Sequence, residues 1–405
     1  MQQNSWNSKE KGYELKSKLI EWRHHLHKYP ELSFQEKITS TFVLEQLIAM
    51  KVFHIETGIA KHGIVATLSS GDGPVIALRA DMDALPIQEE AEVTCKSVHS
   101  NVMHACGHDA HMAILLGVAE VLAEEWEEER FYGTVKLIFQ PAEEDADEFG
   151  LTGAPYFLTS GILDDVEKVI ALHVCPWRKT GEIQINHGPS MANIDNFTLI
   201  LKGEGAHGGY PHQGKDPIWI STFIMQALYS LIGRKMNPLE VGAISIGEIH
   251  GGSSYNVIPE KVVLKGTMRS FTPQIRMQLK KEVEQIAKIA YSLGGDFELI
   301  IEHGEPALNN HPGITEIIKK SAKNISPNIA VYEEAFGMGG EDFGYFTEKI
   351  PGAMFFLGCG FDRGEEKVLH SPTFQLNDEA LPIGVAILLE STRKLLNREG
   401  NMGEE

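Results

Sequence analysis

The order of predicted strands and helices constrains the fold of this chain more than any other feature. Short apolar runs rich in β-branched residues predict buried strands at 63–68, 75–78, 135–139 and 169–173. A helix with an apolar pattern is predicted at 111–126, between two of them. Strands that alternate with helices favour an α/β fold with a mostly parallel sheet.

Two helices are predicted ahead of these strands, at 8–29 and 34–51. The run Ser33-Phe34-Gln35-Glu36 has the spacing of a capping box, in which a serine and a glutamate three residues later satisfy the first helical N–H groups. The sequence therefore predicts Ser33 as the N-cap residue of the second helix.

The pattern changes after residue 188. The predicted order becomes β-α-β-β-α-β, with strands at 196–202, 241–249, 262–269 and 297–302 and helices at 216–235 and 273–292. This order defines a ferredoxin-like α+β unit. The α/β pattern resumes with helices at 313–324 and 378–397 and strands near 329–332 and 353–357. We expect a small domain at 188–301 to be inserted into a larger α/β domain formed by 1–187 and 302–405.

Charge and cysteine content limit the partners and the compartment. The formal net charge is −20, and a surface this acidic repels polyanions, so nucleic acid is not an expected partner. The four cysteines form no CxxC pair and are too sparse for a disulfide framework, which favours a reduced cytoplasmic setting. The first residues are polar and no long apolar run follows, so neither a secretory leader nor a membrane helix is expected.

Two segments carry residues suited to metal chemistry near predicted strand ends, where α/β sheets gather their ligands. Cys106 and His108 flank a glycine in a loop before a helix, and thiolate and imidazole are ligands that zinc favours. Glu143 and Glu144 directly follow a strand, where one could bind a metal while the other handles a proton. The alternatives are a buried structural cysteine with surface histidines, and a solvated acidic turn.

Two further histidines complete the candidate set. His173 lies at the end of the predicted strand 169–173, and His370 lies late in the chain in a Leu-His-Ser-Pro run. Either histidine could instead be satisfied by hydrogen bonds, and Cys175 is expected to be a packed thiol. Together the segments supply one cysteine, three histidines and one or two glutamates, a set that suits two metal ions sharing a bridging ligand and a water.

The chain resembles the aminoacylase and carboxypeptidase-G-type metallopeptidase family, in the branch of hippurate hydrolases and auxin-conjugate amidohydrolases. The resemblance spans nearly the whole chain. It rests on YPELSFQE (29–36), RADMDALPI (79–87), HACGHDAHMA (104–113), FQPAEE (139–144), GEGAHGGYPHQGKDPI (203–218), NVIPEKVVLKGTMRSF (256–271), GGEDF (339–343) and LHSPTF (369–374). It implies that the larger domain is catalytic and that the inserted domain is a lid that forms dimers.

The resemblance also implies a ligand set. Cys106 would bridge two divalent ions, one of them also bound by Glu144 and His370, and the other by His108 and His173. Arg79 stands where the wider family has a histidine ligand. Asp81 would be a carboxylate that orients a ligand histidine.

Four residues have implied roles in the reaction. Glu143 would be the general base, and His207 of the lid would hold the oxyanion. Asn256 and Arg269 would hold the substrate carboxylate, for which the two-pronged guanidinium of arginine is suited. The alternatives are that Arg269 is a surface charge and that His207 is a turn residue.

Several polar residues receive weaker interpretations or none. His212 is a weaker candidate than His207, and Glu341-Asp342 is expected to cap a helix rather than to line the cleft. The residues left without a role are His104, Asp109 and His111.

These observations predict a metal-dependent amidohydrolase that acts on N-acyl amino acids and uses two ions of Zn, Mn, Co or Ni. The alternative is a dipeptidase or aminopeptidase with the same site. A third interpretation, a homologue that has lost catalysis and serves as a scaffold, is disfavoured because Cys106, Glu143, Glu144 and His370 are all present. The expected partners are a small N-acyl amino acid or short peptide and a second copy of the chain, in a dimer through the lid or in a tetramer, with no membrane and no nucleic acid.

Overall fold

The chain divides into two compact units in a computed structural model that describes residues 7–128, 132–361 and 368–397. The first unit comprises the chain up to Gly188, Asn309–Ala335, and the chain from Tyr345 onwards; the second comprises Pro189–Leu308 and Phe336–Gly344. Residues 1–6, on which the expectation of no leader partly rests, lie outside the described residues. The assignment of the two units as a catalytic domain and a lid stays a prediction.

The helices are α1 (Ser8–Glu14), α2 (Lys16–Lys28), α3 (Lys37–Met50), α4 (His108–Glu127), α5 (Gly153–Thr159), α6 (Pro217–Lys235), α7 (Pro273–Ala287), α8 (Ile289–Ser292), α9 (Pro312–Ile325), α10 (Phe343–Lys349) and α11 (Ala380–Leu396), with a 3₁₀ turn at Pro211–Gln213. The strands are β1 (His54–Ile59), β2 (Gly63–Ser70), β3 (Val75–Asp81), β4 (Gly133–Gln140), β5 (Lys168–Lys179), β6 (Ile183–Gln184), β7 (Gly188–Met191), β8 (Asn193–Lys202), β9 (Ala206–His207), β10 (Gly242–Gly251), β11 (Val257–Ile258), β12 (Lys261–Ser270), β13 (Asp296–His303), β14 (Leu308–Asn310), β15 (Val331–Tyr332) and β16 (Gly352–Gly360). Among the described residues, no helix combines the length and the apolarity that crossing a membrane requires.

The first unit is built on an eight-stranded sheet in the order β1-β2-β4-β3-β5-β16-β6-β15. Its central neighbours β4, β3, β5 and β16 run parallel, whereas β1–β2, β2–β4 and β6–β16 are antiparallel. The central strands are apolar and almost wholly buried, as strands of a sheet covered on both faces must be. The predicted α/β class with a mostly parallel sheet is confirmed.

The second unit is a four-stranded antiparallel sheet in the order β10-β12-β8-β13. The helices α6 and α7 pack against it, each starting at a residue whose side chain accepts N–H groups of the first turn: Asp216 for α6 and Thr272 for α7. The predicted ferredoxin-like order of elements is confirmed. The helix predicted at 273–292 is interrupted at Lys288, where α7 ends and α8 follows.

Two predicted boundaries near the candidate site are wrong. The helix α4 begins at His108, three residues earlier than predicted, because Gly107 adopts a positive φ of 91° that ends the preceding loop. A Cβ at position 107 would lie 2.3 Å from a Val174 side-chain carbon. The strand β5 runs on to Lys179, because β16 pairs with it beyond His173, so this histidine lies within the strand rather than at its end.

The predicted capping box is also wrong. The helix α3 begins at Lys37, and Ser33 is not its N-cap residue. The hydroxyl of Ser33 instead donates a hydrogen bond of 2.6 Å to Oδ2 of Asp83. A long-range carboxylate partner has therefore displaced the local capping interaction that the spacing suggested.

Candidate metal centre

Five side chains with metal-binding atoms meet beside the central strands of the first unit. Cys106 and His108 come from the start of α4, Glu144 from the loop after β4, His173 from β5, and His370 from the loop before α11. Nε2 of His173 and Nε2 of His370 lie 3.4 Å and 3.3 Å from the sulfur of Cys106. The five residues form two groups, Cys106 with His108 and His173, and Cys106 with Glu144 and His370, and within each group all ligand atoms lie within 4.8 Å of one another. Both groups match the triads that the resemblance implies, and the sulfur is common to both.

The hydrogen bonds of two histidines prepare them for a cation. Nδ1–H of His108 donates to the carbonyl of Asp83 at 2.9 Å, and Nδ1–H of His173 donates to the carbonyl of Val174 at 2.7 Å. Each bond engages Nδ1 and leaves Nε2 as the ring atom that faces the other candidate ligands. Nε2 of His108 and Oε1 of Glu144 are buried and form no hydrogen bond within the described part of the chain. Buried polar atoms are rarely left unpaired, so the residues present fit metal ions at this position.

The charges around Cys106 favour a cation as well. Burial, together with Glu144 and Glu143, raises the pKa of the Cys106 thiol well above its ordinary value. Burial alone would lower the pKa of His108, but Asp81 and Asp83 raise it to about 10. The site therefore carries an excess of negative charge, which divalent ions would offset, and its thiolate, imidazole and carboxylate donors suit zinc and other borderline metals.

Asp83 contacts ligands from both triads, a role that the sequence reasoning missed. Its carbonyl binds the ring of His108, and its Oδ2 accepts the N–H of Glu144 at 2.9 Å and the hydroxyl of Ser33. Burial would raise the pKa of Asp83, but the contacts with His108, Ser33 and Glu144 hold it below its ordinary value. The spacing of Asp81 and Asp83, two residues apart, was the available indication, since alternate residues of an extended chain face the same side.

Asp81 does not form the contact that was expected of it. Its Oδ1 accepts Nδ1–H of His111 at 2.6 Å, and its Oδ2 accepts Arg79 at 2.6 Å. Its nearest approach to a ring nitrogen of His108 is 3.7 Å, too long for a hydrogen bond, so the contact that orients this ligand comes from Asp83 instead. Arg79 is buried and paired with Asp81, so it occupies no ligand position.

His111, which had no assigned role, supports the centre. Its Nε2 accepts the N–H of Val174 at 2.9 Å, while its Nδ1–H is bound to Asp81. Because both ring nitrogens are occupied, His111 has no lone pair for a metal. It joins the end of β3 to the strand that carries His173.

Asp109 does not cap α4, although a capping role is usual for a polar residue at a helix start. Its Oδ2 accepts hydrogen bonds from Arg23 at 2.9 Å and from Nδ1 of His27 at 2.8 Å. These contacts tie the start of α4 to α2. His104 is buried beside this network, and burial lowers its pKa to about 4.

Two of the predicted substrate-contacting residues lie together in the second unit. His207 in β9 pairs with Val257 in β11, and Asn256 directly precedes this pair. Nδ1 of His207 accepts the N–H of Gly209 at 3.0 Å, so the proton of the neutral ring is on Nε2. His207 is therefore a hydrogen-bond donor, as the stabiliser of an oxyanion must be.

Arg269 lies far from His207 and Asn256 within the same unit. It is eight residues from Lys261, the first residue of β12, which places their Cα atoms ~26 Å apart at about 3.3 Å per residue. His207 and Asn256 lie beyond the Lys261 end of β12, in and next to the separate two-stranded sheet of β9 and β11. Arg269 therefore lies at the end of β12 opposite to the end that leads to Asn256.

The remaining candidates of the second unit have simpler environments. His212 lies exposed in the 3₁₀ turn, with its ring 6.4 Å from that of Tyr210. Oε1 of Glu341 accepts the N–H of Phe343 at 2.9 Å, at the start of α10, as the capping interpretation predicts.

Comparison with known proteins establishes the family. Residues 77–394 match the peptidase family M20/M25/M40, and the chain belongs to this family. An N-acetyl-L-cysteine deacetylase of Bacillus subtilis is 38% identical over 388 residues, which are 95% of this chain and 89% of that protein. An IAA-amino acid hydrolase of Arabidopsis thaliana, ILR1-like 2, is 32% identical over 389 residues, 95% of this chain and 87% of that protein.

A solved structure agrees with both the family and the fold. A dinuclear metal-binding peptidase of family M20 from Bacillus subtilis superposes with a TM-score of 0.83 at 32% identity, covering 95% of this chain and 99% of that one. The resemblance on which the expectations rest is confirmed, and the chain is a hydrolase of a family that acts on amide bonds.

Proposed function

We propose that this protein is a metal-dependent amidohydrolase that cleaves the amide bond of N-acyl amino acids. One observation carries the proposal: the Cys106 sulfur is shared by two ligand groups. In addition, carboxylate oxygens of Glu143 and Glu144 lie within 4.8 Å of a ring nitrogen of His108. A deacetylase and an IAA-amino acid hydrolase among the relatives support the choice of substrate.

Two divalent ions held by the triads would supply Lewis-acid chemistry, lowering the pKa of a water and polarising the substrate carbonyl. Together with Cys106, the side chains that would hold these ions are Glu144, His370, His108 and His173. Asp83 orients one ligand of each triad. Glu143 accepts the proton of the attacking water and passes it to the leaving nitrogen. Nε2–H of His207 donates to the carbonyl oxygen as negative charge develops on it.

The distance between Arg269 and His207 supports a dimer in which each active site uses both chains. In such a dimer, His207 and Asn256 of one chain act together with Arg269 of the other. The substrate carboxylate then lies between Arg269 of one chain and Asn256 of the other.

Two features of the second unit suit such a dimer. The strand β10 is an edge of the four-stranded sheet, and its residues 247–251 are exposed, leaving backbone groups available to pair with another strand. Large apolar side chains are also exposed along α6: Ile218, Trp219, Phe223 and Tyr229. An exposed edge beside exposed apolar side chains is typical of a protein–protein interface.

The substrate class is tested by a hydrolysis panel of N-acetyl, N-benzoyl and indoleacetyl amino acids beside free dipeptides, with the metal content measured in parallel. We expect the N-acyl amino acids, including the benzoyl compounds that define hippurate hydrolysis, to be cleaved faster than the dipeptides. Faster cleavage of dipeptides would instead support the peptidase alternative, in which the pocket accepts a free α-ammonium group. Cleavage of neither class would contradict the proposal.

The shared active site is tested by mixing two inactive variants, Glu143→Gln and His207→Ala. If His207 acts on the partner's centre, a mixed dimer holds one complete site, and random exchange of chains restores about a quarter of the wild-type activity. If His207 acts within its own chain, no mixed dimer has a complete site, and the mixture stays inactive. Light scattering on the wild-type protein gives the oligomeric state independently.

The metal and the compartment complete the proposal. Zinc, manganese, cobalt or nickel would fit the donor set, and availability in the cell helps to decide among them. The four cysteines are buried and unpaired by disulfides, which supports a reduced compartment such as the cytoplasm.

A further inference from the structure

We propose that Glu36 is a positioning residue that holds the turn bearing Glu143 and Glu144 in its active conformation, an inference that rests on the function proposed above. The relevant turn comprises residues 141–145, which we call the acidic turn. Ala142 in this turn has a positive φ of 54° and is fully buried. A residue with a Cβ rarely adopts this left-handed conformation, and it persists only where the surroundings hold it.

The side chain of Glu36 stabilises this conformation through hydrogen bonds. Its Oε1 accepts the N–H of Ala142 at 2.8 Å, and the same oxygen accepts the N–H of Phe34 at 3.0 Å. Phe34 also has a positive φ, of 62°. One buried oxygen thus stabilises two left-handed residues that are more than 100 positions apart in the chain. On its other side, the carbonyl of Ala142 accepts the N–H of Gly153 at 2.7 Å.

The conformation of Ala142 determines where Glu143 points. Glu143 lies between two anchored residues, because Glu36 holds the N–H of Ala142 and Asp83 holds the N–H of Glu144. Rotation at Ala142 would redirect the proposed general base, while Asp83 would still hold the backbone of the ligand Glu144. The loss of Glu36 should therefore reduce the rate of the chemical step more than it reduces metal binding.

Only an oxygen acceptor is needed at position 36. Glu36 is fully buried, its Oε2 has no hydrogen bond among the described residues, and burial together with Asp83 raises its pKa to about 8. A glutamine offers a carbonyl oxygen at the position of Oε1, so Glu36→Gln is the conservative variant. Glu36→Leu keeps much of the volume and removes the acceptor.

The experiment compares the wild type with Glu36→Gln, Glu36→Leu and the double variants that combine Glu36→Leu with Ala142→Gly or with Lys51→Gly. Glycine adopts a positive φ without strain, so Ala142→Gly should make the hydrogen bond to Glu36 unnecessary for this conformation. Lys51 has a φ of 66° at the end of α3 and is the matched control, because glycine there relieves strain away from the acidic turn. The readouts are kcat and KM for an N-acyl amino acid, the metal content, and hydrogen exchange of the amides of residues 140–146.

We expect Glu36→Leu to lower kcat on the order of 10- to 100-fold, the effect of a displaced reactive group, with about threefold change or less in KM and with both metals retained. Glu36→Gln should keep kcat within about threefold of wild type. Adding Ala142→Gly to Glu36→Leu should raise kcat about tenfold, whereas adding Lys51→Gly should leave the kcat of Glu36→Leu unchanged.

An unchanged kcat in Glu36→Leu, or equal recovery by the two glycine substitutions, would overturn the proposal. If Glu36→Leu does not fold, Glu36→Asp, which withdraws the acceptor by one methylene group, is judged by the same criteria. Exchange at residues 140–146 must accelerate in the variant without the acceptor, and unchanged exchange would overturn the proposal even if the wild type cleaved no N-acyl amino acid. Absence of N-acyl amino acid cleavage by the wild type would refute the proposed function separately.

Discussion

Replacement of Asp83 by asparagine should weaken the binding of metal even though Asp83 is not itself a ligand. The carboxylate presents Oδ2 to the N–H of Glu144 at 2.9 Å, and its Oδ1 lies 3.4 Å from Nδ1 of His108. An asparagine has only one oxygen, so its NH₂ group must face one of these two N–H groups. Turned towards Glu144, the NH₂ group removes the hydrogen bond that holds this ligand. Turned towards His108, it removes the carboxylate charge beside a ring that keeps its bond to the Asp83 carbonyl.

The size of the effect follows from the lost contact. A hydrogen bond to a charged group is worth about 1.5–3 kcal/mol, and each 1.4 kcal/mol is about tenfold in affinity. Asp83→Asn should therefore lower the metal affinity about 10- to 100-fold, the usual range for a residue that supports a ligand. Competition with a chromogenic chelator measures the dissociation constants, and circular dichroism confirms that the variant is folded.

Ser33→Ala is the matched control for this prediction. It removes the hydroxyl that also binds Oδ2 of Asp83, at 2.6 Å, but leaves the contacts with Glu144 and His108 in place. Its metal affinity should change less than about fivefold. A folded Asp83→Asn variant that binds both metals as tightly as the wild type would refute the role given to Asp83.

Three further predictions concern the residues of the reaction. Glu143→Gln should keep both metals and lose on the order of 10² to 10⁴ in turnover, as expected for a general base, whereas Glu144→Gln should lower the metal content; the reverse pattern would exchange their roles. A thiol reagent should modify Cys106 far faster in metal-free enzyme than in metal-loaded enzyme, and equal rates with metal retained would contradict ligation by the thiolate. Arg269→Ala should cost ~1.5–3 kcal/mol in binding of free-acid substrates and almost nothing with amidated ones, as kcat and KM for both will show, and equal losses would exclude recognition of the carboxylate.

The fold was largely predictable because the apolar positions of the sequence correspond to buried positions of the helices and strands. The central strands are continuous apolar runs, and the change to a β-α-β-β-α-β order after residue 188 marked the second unit. The short strand β1 was missed because its sequence is mixed and polar and its pairing with β2 supplies the order. The capping box at Ser33 failed because Asp83, fifty residues away, binds the hydroxyl that a local interaction would have used.

The ligand types were predictable from the sequence, but the residues that support them were not. A cysteine, three histidines and a glutamate near predicted strand ends and turns suggest a metal by their chemistry alone. Asp83, His111 and Glu36 act through contacts with distant segments, and apart from the spacing of Asp81 and Asp83 no local pattern distinguishes them from ordinary polar residues. The position of Arg269 at the far end of β12 from His207 likewise follows only from the lengths and pairing of the strands in the second unit.

The central claim is that hydrolysis depends on two metal ions held around the Cys106 thiolate, and a metal titration tests it most directly. The protein is freed of metal with a chelator, its metal content is verified by mass spectrometry, and activity on an N-acyl amino acid is measured as a divalent ion is returned. The account predicts no activity without metal, and full activity as the content reaches two ions per chain. Full activity of verified metal-free protein would contradict it.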